Sequence, residues 1–225
     1  MAEEKKLVEG RVTLLNVRLS FADIWRPKSI KRKDGTSSPP KFSANGLISK
    51  DGKDHHGKPL MAKYMGKTMP VMVALKKAKM DALAKKLGGD KAEKAKVKPE
   101  NYCVRDGDLE NWEGYEGNWY ISANNSKQPK IVGRDKRAMT EADGKPYSGC
   151  YVNMIVSQWC QLPGQTDNGD PKPLGVFGSL EAIQFVEDGE SFGAPQVDTD
   201  EEFDDITDDS DEDFGGDDDE DDDVL

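Results

Sequence analysis

Cationic side chains and flat aromatic ones are interleaved along much of this 225-residue chain. The cations are Arg18, Arg26, Lys28, Lys31, Arg32, Lys33 and Lys41 in the first half and Lys130, Arg134, Lys136 and Arg137 in the second. The rings are Trp25, Trp112, Tyr115, Trp119, Tyr120, Tyr151 and Trp159. Guanidinium and ammonium groups track phosphates, and an exposed ring is a platform for an unpaired base, each stack contributing about 1–3 kcal/mol. Together the two types suit a surface that grips a bare strand without reading its sequence. Aromatic residues in strands more often pack in a core or against a cross-strand neighbour, so any one ring has a structural role by default. The contacts expected are Arg18, Trp25, Arg26, Lys28, Lys31, Arg32, Lys41, Tyr120, Lys130, Arg134, Tyr151 and Trp159.

Covalent and metal chemistry find less support. No Walker A loop, GxSxG elbow or HExxH pair occurs, and Cys103, Cys150 and Cys160 show no CxxC pairing. The adjacent His55 and His56 sit in DGKDHHGKP, a stretch that reads as a turn; with two histidines and scattered cysteines, no zinc-ligand spacing emerges. Carboxylates are plentiful, so a Mg²⁺-dependent nuclease stays an alternative, although nothing marks a converging cluster. The expectation is a non-enzyme with no cofactor, no metal and no catalytic residue.

The charges are sorted along the sequence. Of 43 acidic residues, 18 lie in 198–225, where there is no basic residue, so residues 1–197 carry 32 basic against 25 acidic groups, a net of +7. The acidic overall balance of −11 therefore hides a basic body, whose sign favours a polyanion. The last segment has too few apolar residues to repay ordering and is expected to be a disordered acidic tail. Phe203, Ile206 and Phe214 interrupt it, and Asp221, Asp222 and Asp223 precede the terminal Val224 and Leu225, the composition of a docking peptide. Tethered beside a basic surface, the tail is expected to compete with phosphates for the same cations. A mere solubility tail, or an acidic chaperone for basic proteins, are the rival readings. No apolar N-terminal run resembles a signal peptide or membrane span, so a reducing cytoplasm fits best.

The elements that must position these groups are mostly strands. From Gly10 to Phe21 apolar and polar residues alternate, with Leu15, Val17, Leu19 and Phe21 on one face and Asn16, Arg18 and Ser20 on the other. Residues Trp25 to Pro40 read as a mobile basic loop, and KFSANGLIS as a second strand through Phe42, Ala44 and Ile48. Thr68 and Pro70 open an amphipathic helix through Met72, Leu75, Leu83 and Leu87, stopped by Gly88 and Gly89. Residues 91–100 are a helix extension or a solvated connection. Strands follow at 118–124, 129–134, 149–159 and 180–187. In the first of these, Trp119 and Ile121 share one face and Tyr120 and Ser122 the other. In 149–159, Val152, Met154 and Val156 form the apolar face, leaving Tyr151, Asn153 and Trp159 outward. Five or six strands with one helix imply a mainly β fold, a small β-barrel or a compact α+β sheet.

The segments RLSF, KFSANGLISK, YSGCYVNMIVSQW and GSLEAIQFVEDGE resemble a tailed-phage single-stranded DNA-binding family that includes a member from an Enterobacter phage, and the acidic tail ending in aliphatic residues is similar in kind. The resemblance covers roughly residues 8–190. It implies an OB-fold core that coats single-stranded DNA during phage DNA replication and recombination. Joined to the readings above, the expectation is an OB-fold-like domain of residues 1–197 with one inserted helix and an acidic tail of 198–225, serving phage DNA replication, recombination and repair in the host cytoplasm, with single-stranded DNA as partner and replication or recombination proteins as partners of the tail. A strand-annealing recombinase or an RNA-binding module would use the same surface physics, and a homo-oligomer stays open.

Overall fold

The computed structural model describes residues 7–31, 35–165 and 171–193. In chain order the elements are β1 (Arg11–Lys28), β2 (Lys41–Ser49), β3 (Met61–Tyr64), β4 (Lys67–Pro70), α1 (Val71–Leu87), α2 (Gly89–Lys94), β5 (Val104–Asp106), β6 (Asn118–Asn125), β7 (Lys130–Val132), β8 (Tyr151–Gln161), β9 (Gly164–Gln165), β10 (Pro171–Lys172) and β11 (Gly175–Glu187).

The long first strand does not keep one face inward. Val12 and Leu14 are buried, then Val17 and Leu19, then Ile24. The switches fall where the backbone turns left-handed, at Asn16 (φ 55°) and Phe21 (φ 46°). There the register against β8 slips between Leu14 and Val17, and that against β2 between Ser20 and Asp23. Each irregularity inserts a residue and flips the side-chain alternation. This corrects the expected face: Leu15 is only partly buried and Phe21 is 49% exposed. It also shortens the expected loop, because Trp25 to Lys28 continue β1, Lys28 pairs with Lys41, and a Lys31–Ser37 bridge extends the hairpin.

β1 then closes a five-stranded ring with β2, β6, β11 and β8. The β1–β2, β2–β6, β8–β11 and β1–β8 pairs are antiparallel, and β6–β11 is parallel. That order is the OB-like barrel the sequence implies. Its interior is filled by Val17, Leu19, Ile48, Ile121, Val152, Met154, Val156, Leu180 and Ile183, all at most 1% exposed. Gly46 packs closely there, since a Cβ would stand 3.2 Å from Met154 Sδ and 3.3 Å from Val17 Cγ2. On β8 the alternation holds as read: even-numbered residues point in, and Tyr151, Asn153 and Trp159 do not.

α1 starts after Pro70 and ends at Gly88, as the capping residues predict. Its buried face is Val71, Ala74, Leu75, Ala78, Ala82 and Leu83. Met72 and Leu87, expected in that face, are only partly buried. The alanines bring α1 close to β8, where Gln158 Nε2 donates to the Leu75 carbonyl at 3.2 Å. Among the described residues no helix is long and apolar enough to cross a membrane. Ile183→Ala, which empties part of the barrel centre, is expected to lower stability by about 2–5 kcal/mol, read as a lower urea midpoint at unchanged m-value.

Candidate nucleic-acid interface

The outer face of β1, β2 and β6 is roofed by residues 107–117. Lys50 holds the start of this strap, its Nζ donating to Asp106 and, at 2.6 Å, to Asp108 Oδ2. Asp108 Oδ1 in turn accepts from the Gly117 N–H at 2.7 Å. Gly107 lets the strap lie flat, since a Cβ there would meet the carbonyls of Tyr115 and Asn118 at 2.3 and 2.5 Å. Tyr115 is fully buried beneath the strap; its hydroxyl accepts from Asn45 Nδ2 at 2.7 Å and donates to Ser20 Oγ at 3.3 Å.

Tyr120 is part of the same layer, and its expected role as a base platform is corrected by its burial. The alternation placed it correctly on the outer side of the barrel wall, but the strap covers that side and leaves it 1% exposed. Its ring meets Tyr115 edge-on at 5.0 Å and its hydroxyl donates to Glu110 Oε1 at 2.6 Å. Burial first, and the Glu110 carboxylate second, push its pKa up to about 12.

Two rings do emerge on this surface. Phe21 and Trp112 are 49% and 43% exposed, with centroids 5.0 Å apart at 76°. Trp112 stands edge-on to Tyr115, also at 5.0 Å, so the exposed pair rests on buried rings. Phe21 is held by its neighbours: the Leu19 N–H donates to the Cys150 carbonyl at 2.8 Å and the Ala22 N–H to Ser148 Oγ at 3.0 Å. A bulky residue in the left-handed region costs about 1–2 kcal/mol, and strain of this kind concentrates at ligand sites. Phe21 was missed because simple alternation assigns it to the core with Leu19. Trp112 belonged to the aromatic set, but only the folded strap shows that it stays in solvent.

The cations divide by location. Arg18 joins the segment before β8 to the chain after β11: its Nε and Nη2 donate to the carbonyls of Gly149 (3.2 Å) and Glu190 (2.8 Å), and its guanidinium lies 4.1 Å over the Phe192 ring. Beyond Phe21 on the same strand, Arg26 pairs with Glu141 at 2.9 Å while its side chain stays 81% exposed, and Lys28 pairs with Asp23 while staying 72% exposed. The Arg26–Glu141 pair is open to solvent on both sides and contributes at most about 1 kcal/mol, so a phosphate can displace the carboxylate, whereas the Asp23 side chain is only 23% exposed and holds Lys28 more firmly. Lys41 stands opposite Lys28, a like-charge pairing that an anion would relieve. Lys31 and Lys130 are exposed, and Arg134 is exposed with Nε donating to the Val186 carbonyl. Trp25 is partly buried against the core. One face of Tyr151 is taken by His55, stacked at 3.5 Å.

Trp159 is 45% exposed beside Phe177, but it lies apart. Arg18 pairs with Tyr151, whereas Arg11 pairs with Ser157, so Trp159 sits past the start of β1, about 26 Å from Tyr151 at about 3.3 Å per residue. β1 and β2 thus carry Arg18, Phe21, Arg26, Lys28 and Lys41 in sequence, with Lys28 about 23 Å beyond Phe21 along the strand, while Trp159 lies past the opposite end of β1. Arg32 and the tail residues Phe203, Phe214, Asp221, Asp222, Asp223, Val224 and Leu225 lie outside the described residues. Burial raises the thiol pKa of Cys103 to about 12 and of Cys150 to about 11, far from the range of a nucleophilic cysteine.

Residues 10–215 match the family described as Enterobacter phage Enc34, ssDNA-binding protein. The chain belongs to this family. Protein p50 of Acyrthosiphon pisum secondary endosymbiont phage 1 is 32% identical over 201 residues, which span 88% of this chain and 94% of p50. The single-stranded DNA-binding protein from bacteriophage Enc34 in complex with ssDNA shares the fold with a TM-score of 0.60 at 23% identity, over 85% of this chain and 100% of that one. A second structure of the Enc34 protein gives 0.58 at 22% identity, over 89% and 97%. Within this family fold, Phe21 sits in the left-handed region with a side chain that is not buried in the core. Phe21→Gly, which relaxes the left-handed residue while losing the Trp112 contact, is therefore expected to leave stability within about 1 kcal/mol of the parent by urea unfolding.

Proposed function

We propose that this protein binds single-stranded DNA largely without regard to sequence. In this reading bases stack on Phe21 and Trp112, and phosphates are taken up by Arg26, Lys28, Lys31, Arg32 and Lys41. Arg18 shapes the site through Phe192, and Lys130 and Arg134 extend the cationic path. Trp25 and Tyr151 border that path, and Trp159 offers a separate stacking position at the far end of β8. The observation that carries the proposal is the strained, half-exposed Phe21 beside Trp112, on a strand that goes on to carry the exposed Arg26 and Lys28 in a barrel of this family. Binding of this kind needs no chemical step. The role we assign is coating and protecting strands during phage DNA replication, recombination and repair in the cytoplasm of the infected host.

The tail has a second part in this reading. Its 18 carboxylates in residues 198–225, joined to a body of net charge +7, compete with DNA for the cations at high effective concentration. Occupation of the surface by DNA frees the tail, whose Phe203, Phe214, Val224 and Leu225, with Asp221, Asp222 and Asp223, are then open to replication or recombination proteins.

Titration of oligonucleotides followed by tryptophan fluorescence tests the surface. Phe21→Ala is expected to weaken single-strand binding by about 1–3 kcal/mol, roughly 5- to 150-fold. Arg26→Ala with Lys28→Ala is expected to flatten the log–log salt slope by about 1.4. A parent-like titration by both variants would sink the assignment. Deleting residues 198–225 is expected to tighten binding and steepen its salt dependence. RNA and complementary strands, tested in parallel, separate DNA coating from RNA binding and from annealing.

A further inference from the structure

The connection between β2 and β3 carries two histidines to a carboxylate from the far end of the chain. Its shape is set independently of any ligand. Asp54 Oδ1 accepts from the backbone N–H groups of His56 (3.0 Å) and Lys58 (2.9 Å), and Asp54 Oδ2 accepts from Asn16 Nδ2 at 2.9 Å. Asn16 is the first of the two left-handed residues of β1, so the turn is fastened to the barrel wall. The backbone that carries the carboxylate is also held, because Glu187 ends β11 and pairs with Tyr151 of β8. His55 lies flat on the Tyr151 ring, 3.5 Å away at 19°.

Both imidazoles direct Nε2 at the same oxygen, Glu187 Oε2, at 3.3 Å from His55 and 3.0 Å from His56. One donor atom from each of the three residues lies within 4.8 Å of the others. A tetrahedral ion with bonds of about 2.0–2.1 Å spaces its donor atoms about 3.3 Å apart, close to the 3.3 and 3.0 Å between each imidazole nitrogen and Glu187 Oε2. A hydrogen-bonded clamp would need only the well-packed His55. The second imidazole, whose side chain is 46% exposed, converges on the same point and turns the clamp into a three-donor set.

We propose that His55, His56 and Glu187 form a binding site for a divalent transition ion of the Zn²⁺ class, with three protein donors and a fourth position open to water or another oxygen ligand. Two imidazoles and one carboxylate suit Zn²⁺ and its neighbours, whereas Mg²⁺ and Ca²⁺ favour all-oxygen sets. The bound ion staples the β2–β3 connection to the end of β11 and holds His55 over Tyr151. The site stands independently of the nucleic-acid reading.

The test is calorimetric titration of Zn²⁺ into the chelator-treated full chain, paired with thermal unfolding and with Co²⁺ absorption as a report of coordination. Excess Mg²⁺ is present throughout to occupy the tail's carboxylates. The expected result is one equivalent of Zn²⁺, a higher unfolding midpoint and a tetrahedral Co²⁺ spectrum. His56→Ala and Glu187→Gln should each weaken Zn²⁺ binding by about tenfold or more, the loss caused even by removing an outer-sphere partner. If His56→Ala fails to fold by circular dichroism, Glu187→Gln carries the comparison. Absence of saturable binding, or binding unchanged in the folded variants, overturns the proposal.

Discussion

The structure depends on a single strand that changes its inward face twice. β1 pairs with β2, β3 and β8, so it is the seam along which the ring closes. A strand with uninterrupted alternation would offer Val12 and Leu14 to the interior and then turn Val17 and Leu19 outward. The left-handed residues Asn16 and Phe21 restore the match on either side. Their cost is local, and the barrel it allows to close buries many large apolar side chains, each contributing about 1.5–3 kcal/mol. The same two positions face outward with useful chemistry: Asn16 fastens the histidine turn, and Phe21 presents its ring beside Trp112.

The strap of residues 107–117 settles which rings are structural and which remain available. It brings Tyr115 and Glu110 down onto Ser20, Asn45 and Tyr120, so that polar groups on the outer wall find partners inside the protein rather than in water. Lys50 ties the strap's origin through Asp106 and Asp108. The aromatic layer is graded as a result: Tyr115 and Tyr120 are sealed, and Phe21 and Trp112 rest on them half in solvent. Rings supported from beneath lose little freedom when a flat ligand lands on them, which favours affinity through preorganisation.

The cations farther along β1 are paired to different degrees. Arg26 with Glu141 is an exposed pair whose exchange for a phosphate costs little, whereas Lys28 pairs with the partly buried Asp23. Arg18 is different, since its donors are spent on backbone carbonyls and its plane on Phe192. Cationic residues of one sequence type thus divide into bracing and binding groups according to what the fold sets beside them.

Sequence by itself determined the class of the protein: the sorted charges, the strands through residues 41–49, 118–124 and 149–159, the helix bounded by Pro70 and Gly88, and the family likeness were all legible. Those features rest on local periodicity, capping and composition, which need no knowledge of distant residues. Tertiary structure alone decided that Tyr120 is covered, that Phe21 is exposed, that Trp159 is remote from Phe21, and that Glu187 meets His55 and His56. Each of these depends on a bulge, a strap or a strand register that joins residues far apart in the chain. A one-residue slip in a strand reverses every side chain beyond it, and alternation read from β1 alone carries no sign of where Asn16 and Phe21 make that slip.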